Sequence, residues 1–194
     1  WAQQPESRPP NVVDCRCDKA MTSDFFDGLS PVAVERALWA AGTMPLDVRA
    51  FITEAMPPVQ LVSSVRCVLL KGAQVMVIED YKGEHHILPG GRVEANESFE
   101  ESLQRELLEE TGWTARAPRL LGVTHFHHLK EAPPDYPYPY PDFLQLIYVS
   151  EAGEHFPERQ ETASEWEADA AFREVGGTLA LQLDPINRAF LQQA

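Results

Sequence analysis

The chain has 194 residues, which suits one domain or one domain with a short extension. Its 44% hydrophobic and 24% charged residues exclude wholesale disorder. Acidic residues number 30 against 16 basic ones, a net charge of −14, so nonspecific binding to bulk DNA or RNA is a poor reading. A phosphorylated ligand would need its charge screened, and a divalent metal is the obvious screen.

Residues 1–20 are polar, contain prolines and lack an apolar period, so they read as a surface tail. They have no basic head followed by an apolar stretch, and no run of ~20 apolar residues occurs anywhere; neither a secretory signal nor a membrane span is expected. Cys15, Cys17 and Cys67 are too few and too irregular for a disulfide framework, which fits a reducing, cytoplasmic setting. Ser30 followed by Pro31 reads as an N-cap with Pro at the first helical position, predicting a helix to Gly42. A second helix is predicted from Leu46 to Met56, ended by Pro57-Pro58. Two short helices cannot bury their apolar sides alone, so they must dock on the main domain or on another subunit. The predicted division is therefore a tail and helical extension over 1–58 and a main domain over 59–194.

From Val59 the chain turns to strands. V-Q-L-V-S-S-V-R-C-V-L-L and Q-V-M-V-I-E-D-Y flank a K-G-A-Q turn, a hairpin signature. H-H-I-L-P leads to Gly90-Gly91, and Glu97 to Thr111 is a helix closed by Gly112. R-L-L-G-V-T-H-F-H-H-L and D-F-L-Q-L-I-Y-V-S are two more strands around a Pro-rich loop, and Asp184-Pro185 opens a last helix. This order predicts a sheet covered by helices.

The helix before Gly112 carries its acids in an unusual place. On a wheel of about 100° per residue with Glu106 at zero, Phe99 falls near 20°, Glu110 near 40°, Leu103 near 60°, Leu107 near 100° and Glu109 near 300°. Glu106 and Glu110 thus lie on the apolar stripe and Glu109 at its edge, while Glu100 and Glu101 occupy the face a solvated acid would take. Carboxylates crowded on an inward edge cost several kcal/mol each, as an order of magnitude, unless compensated. Arg105 is the one base nearby in sequence. Oxygen-only ligands three and four residues apart can converge on a hard cation, Mg²⁺ or Mn²⁺. An ordinary Glu-rich helix in another register is the alternative that geometry alone leaves open.

Residues 91–113 resemble the Nudix box: Gly91, Glu97, Arg105, Glu106, Leu107, Glu109, Glu110, Gly112 and Trp113 fill every fixed position, and L-P-G-G is similar to the usual lead-in. The resemblance implies an α/β/α sandwich around a mixed β-sheet, and divalent-metal-dependent hydrolysis of a nucleoside diphosphate linked to another group. That substrate could be a nucleotide sugar such as ADP-ribose, or a nucleoside triphosphate. It implies Glu106 and Glu110 as main metal ligands, and Glu109 as a ligand or the handler of the attacking water. It further implies the Gly91 carbonyl completing the metal site and Glu97 holding Arg105 in an ion pair. A further acid is expected before an aromatic residue: Glu161, five residues before Trp166, with Glu165 and Glu167 as rivals. A Nudix-like module that senses a nucleotide without cleaving it is the alternative function; such modules usually lose box carboxylates, and this chain keeps them. Homodimers are common in the family, so the resemblance permits one.

The substrate is not read from these residues. His125 and His127 share a strand face and His128 points opposite, so His127 could meet phosphate, or the three could be surface histidines. Tyr138 and Tyr140 lie in the stiff, Pro-rich loop, where they could stack on a base or sugar or pack against the predicted N-terminal helices.

Overall fold

Alternation, not helical periodicity, governs residues 33–52. The computed structural model describes residues 24–39, 42–132, 139–160 and 167–194. Within it, Ala33–Trp39 (β1) and Met44–Ile52 (β2) form an antiparallel hairpin, with Glu35 opposite Val48 and Leu38 opposite Pro45. The predicted helical extension is therefore corrected to strands. Leu46, Val48 and Ala50 are buried while Asp47 is half-buried and Arg49 exposed, a period of two that places one face in the core. Pairing with a distant strand completes β2, and local helix signals at Ser30-Pro31 do not compete with it.

The remaining strands are Val62–Lys71 (β3), Gln74–Asp80 (β4), His85–His86 (β5), Gly90–Arg92 (β6), Trp113–His128 (β7), Asp142–His155 (β8) and Glu167–Glu174 (β9). The helices are Phe99–Thr111 (α1), Val175–Leu179 (α2) and Pro185–Leu191 (α3). The strands form a sheet in the order β1-β2-β7-β8-β3-β4-β5, with β6 on β3 and β9 on β4. It is mixed: β3 and β8 run parallel and the other pairs antiparallel. The β3–β4 hairpin, the box helix and the Asp184-capped last helix stand as expected. β9 and α2 are additions to the expected elements.

Two cores lie on opposite faces of the sheet. Leu103 and Leu107 of α1 pack on Val65, Cys67, Val123 and Leu146. Ile186 and Phe190 of α3 pack on Val48, Val68 and Ile147 from the other side. Neighbouring residues of one strand feed different cores, as the pleat requires, and the result is the α/β/α sandwich. No helix among the described residues is long and apolar enough to cross a membrane.

Candidate active site

The box helix is fixed at both ends. The Ser98 hydroxyl accepts from the Glu101 amide at 3.2 Å and the Glu101 carboxylate accepts from the Ser98 amide at 2.8 Å, a reciprocal cap. Gly112 closes the helix at φ 72°, the left-handed cap. The register this imposes buries Leu103 and Leu107 completely and brings Glu106 and Glu110 inward with side chains 15% and 16% exposed; Glu109 is at the rim at 37%.

Both inward carboxylates meet the Gly90-Gly91 turn. Glu110 Oε2 accepts from the Gly90 amide at 2.5 Å. Gly90 has φ +135° and lies so close to Val65 and Arg66 that no Cβ fits. A Cβ on Gly91 would run into the Glu106 carboxylate. The two glycines thus let backbone approach acids that any side chain would push away.

Arg105 organises the rest. Its Nε and Nη2 donate to the two oxygens of Glu97 at 2.9 and 3.0 Å, and its Nη1 donates to Glu106 at 2.8 Å and Glu109 at 3.3 Å. Ser102 donates its hydroxyl to Glu97 at 2.7 Å. These bonds, Arg105 first, hold the Glu97 carboxyl down at about 2. Arg66 Nη1 donates to the Leu88 carbonyl and stands 3.8 Å from Glu110. Glu97, Glu106, Glu109 and Glu110 against Arg66 and Arg105 leave a formal charge of −2, which one divalent cation balances. An all-oxygen donor set, with the Glu106 carboxylate brought against the Gly91 backbone because Gly91 lacks a Cβ, fits Mg²⁺ or Mn²⁺. Asp80, Glu84 and His86 form a separate group with ligand atoms within 4.8 Å of one another. There Asp80 Oδ1 already accepts from the Lys82 and Glu84 amides at 2.8 Å.

A cavity of about 360 Å³, within the usual range of ligand sites, opens beside Arg66 on the sheet face that carries Thr124, Phe126 and Gln145. Arg66 joins it to the carboxylates of the box.

A model of the NUDIX domain matches residues 60–193. The chain belongs to the NUDIX family. Over 56 residues it is 41% identical to the "Putative 8-oxo-dGTP diphosphatase" of Bacillus subtilis (strain 168), a match covering 29% of this chain and 38% of that relative. The chain thus spans well under half of that relative's length. The fold is similar to a NUDIX hydrolase from Nitrosomonas europaea, with a TM-score of 0.52 at 19% identity over 68% of this chain and 87% of that one.

In the NUDIX domain, Gly91, Glu97, Arg105, Glu106, Glu109 and Glu110 come together as described. Glu161, Glu165 and Tyr138 lie outside the described residues. His127 is elsewhere: its Nδ1 and the Nε2 of His125 sit 2.8 and 2.6 Å from Asp142 Oδ1, on the face opposite the cavity, because Thr124 and Phe126 alternate with them. Tyr140 stacks on His128 and donates its hydroxyl to the Lys130 carbonyl. Arg66 is not evident from sequence, since a charged residue inside an apolar strand run carries no sign of its partner beyond the Gly90 turn. The signal available is that R interrupts S-S-V-R-C-V-L-L at a position the pleat turns away from α1.

Arg105→Ala is expected to lower both the melting temperature, by several degrees, and kcat, because it unties Glu97, Glu106 and Glu109 together. The Glu97 carboxyl sits below its ordinary value of 4.5. The stability it contributes is therefore full above that value and lost as pH falls toward about 2. Thermal melts between pH 5 and 2 should show a shallower acid loss in Arg105→Ala than in the wild type; parallel curves would contradict the pair.

Proposed function

We propose that this protein hydrolyses the diphosphate linkage of a nucleoside diphosphate joined to a second group, either a nucleotide sugar or a nucleoside triphosphate. The observation that carries this is the convergence of the half-buried Glu106 and Glu110 on the Gly90-Gly91 turn, beside a cavity that Arg66 lines. Glu106, Glu109 and Glu110, with the Gly91 carbonyl, would hold a divalent cation, for which we favour Mg²⁺. When bound, the cation supplies charge neutralisation and Lewis acidity at the diphosphate. Arg66 places a positive charge on the cavity side, where it can orient the phosphates. Glu109, the most exposed of the three acids, is placed to accept the proton of an attacking water. Arg105 Nη1 bridges Glu106 and Glu109, holding the two like charges near one another. Glu161 is our candidate for the additional acid, and a cytoplasmic setting suits the free, buried Cys67.

The 8-oxo-dGTP diphosphatase activity ascribed to the Bacillus subtilis relative supports the nucleoside triphosphate branch, over the segment that matches. The test is a hydrolysis screen with Mg²⁺ over nucleotide sugars, dinucleotides and nucleoside triphosphates, oxidised ones included. Turnover of at least one class is expected. Folded protein that binds nucleotides and cleaves none would make the domain a sensing module instead.

A further inference from the structure

The cavity has two chemically unlike ends. Arg66 stands at one, against Glu110. Glu35 of β1 and Asp184, the cap of α3, stand at the other. Their strands, β1 and β3, are four places apart in the sheet, or ~19 Å at about 4.8 Å per strand. The cavity, about 360 Å³, is of a size to take a nucleoside. Phosphates belong at the Arg66 end, because the two carboxylates repel them from the other.

The far end asks for hydrogen-bond donors. Asp184 is already committed: its Oδ1 accepts from the Asn187 amide at 2.7 Å and its Oδ2 from the Asn187 side chain at 2.5 Å. Glu35 makes no hydrogen bond or ion pair among the described residues, and it is half-buried. Burial first, and then the charge of Asp184, hold its carboxyl above the ordinary value, so this acid costs stability where it stands. Between the ends lies a second unmatched group. The Thr124 hydroxyl is 1% exposed and has no hydrogen-bond partner among the described residues. A buried polar atom without a partner is rare and calls for an explanation; a ligand atom in the cavity provides one. The Trp39 and Phe126 rings pack on each other, 5.2 Å between centroids, and give the cavity one aromatic wall, a surface on which a planar base can lie.

A carboxylate only accepts, and its two oxygens match two adjacent donors. Among the common bases guanine alone offers two neighbouring N–H groups on its pairing edge, N1–H and the 2-amino group. Adenine and cytosine alternate donor with acceptor there, and uracil flanks its donor with carbonyls that Glu35 would repel.

We propose that this cavity is the nucleobase subsite and that Glu35 selects guanine-type bases by a two-point contact, with the Thr124 hydroxyl satisfied by another polar atom of the base. The proposal rests on the hydrolase reading for the direction in which the phosphates point.

The test compares matched guanosine and adenosine substrates, GTP with ATP and a GDP-sugar with the corresponding ADP-sugar. A bidentate base contact is worth roughly 5- to 150-fold in discrimination, so wild type should favour guanosine by at least ~5-fold in kcat/KM. Glu35→Gln gives the base one donor and one acceptor, the adenine pattern, and should lower the guanosine-to-adenosine ratio by ~5-fold or more. Glu35→Ala, a second variant, should bring the ratio near unity. A wild-type preference for adenine or uracil, or an unchanged ratio in both variants, overturns the proposal. Calorimetric binding of GMP against AMP in EDTA makes the same comparison without turnover. GMP should bind more tightly to wild type and lose that advantage in Glu35→Gln; equal affinities for wild type overturn the subsite. Absence of hydrolysis with GMP selectivity intact would count against the hydrolase reading alone.

Discussion

Glu110→Gln and Glu106→Gln are each expected to cut kcat by at least ~10²-fold, since losing a charge that stabilises the transition state costs roughly 3 kcal/mol. Glutamine has the same shape, and at 110 its amide oxygen can still accept from the Gly90 amide. The change therefore removes the charge and leaves the turn intact. Neither variant should unfold, because removing one of several crowded carboxylates relieves repulsion. Glu101→Gln is the control. It lies on the exposed side of the same helix as part of the cap and should keep near-wild-type turnover, with a small loss of helix stability. Wild-type rates in both inward variants would contradict the assignment.

Removing residues 1–57 is expected to abolish soluble, folded protein. The deletion takes away β1 and β2, and with them Leu46, Val48, Ala50 and Phe51, none more than 4% exposed. Truncating one buried leucine to alanine costs ~2–5 kcal/mol. Losing four buried residues is comparable with the ~5–15 kcal/mol that holds a typical domain together. It also leaves the β7 segment from Gly122 to His128 without its partner, an unpaired apolar edge that invites aggregation. Size-exclusion chromatography and circular dichroism decide the matter. A soluble truncated chain with native melting would show that the hairpin is a passive appendage.

The box is legible in the sequence because its chemistry is local. Fixed spacings on one capped helix determine which acids face inward, and wheel geometry alone places Glu106 and Glu110 beside Leu103. The strands around Val68 and Val77 are equally plain, since their β-rich runs and the turn between them lie within a few residues. Residues 30–56 mislead because Ser30-Pro31 and Gly42 mimic helix ends, while the deciding partner of β2 is β7, far along the chain. L-D-V-R-A, with Leu46, Val48 and Ala50 inward, carries the correct period of two. Arg66, Glu35 and Thr124 share one cavity only because the strands from β1 to β3 pair in register, and Asp142 meets His125 and His127 by the same nonlocal pairing. Spacing along the chain does not encode such contacts.

The most direct measurement is phosphorus NMR of a nucleotide substrate from the screen, followed in Mg²⁺, after excess EDTA, and after Mg²⁺ is restored. The account predicts cleavage between phosphates in Mg²⁺, none in EDTA and recovery on adding the metal back, with Glu110→Gln inert throughout. Full turnover in EDTA, or scission that leaves the diphosphate whole, would contradict it.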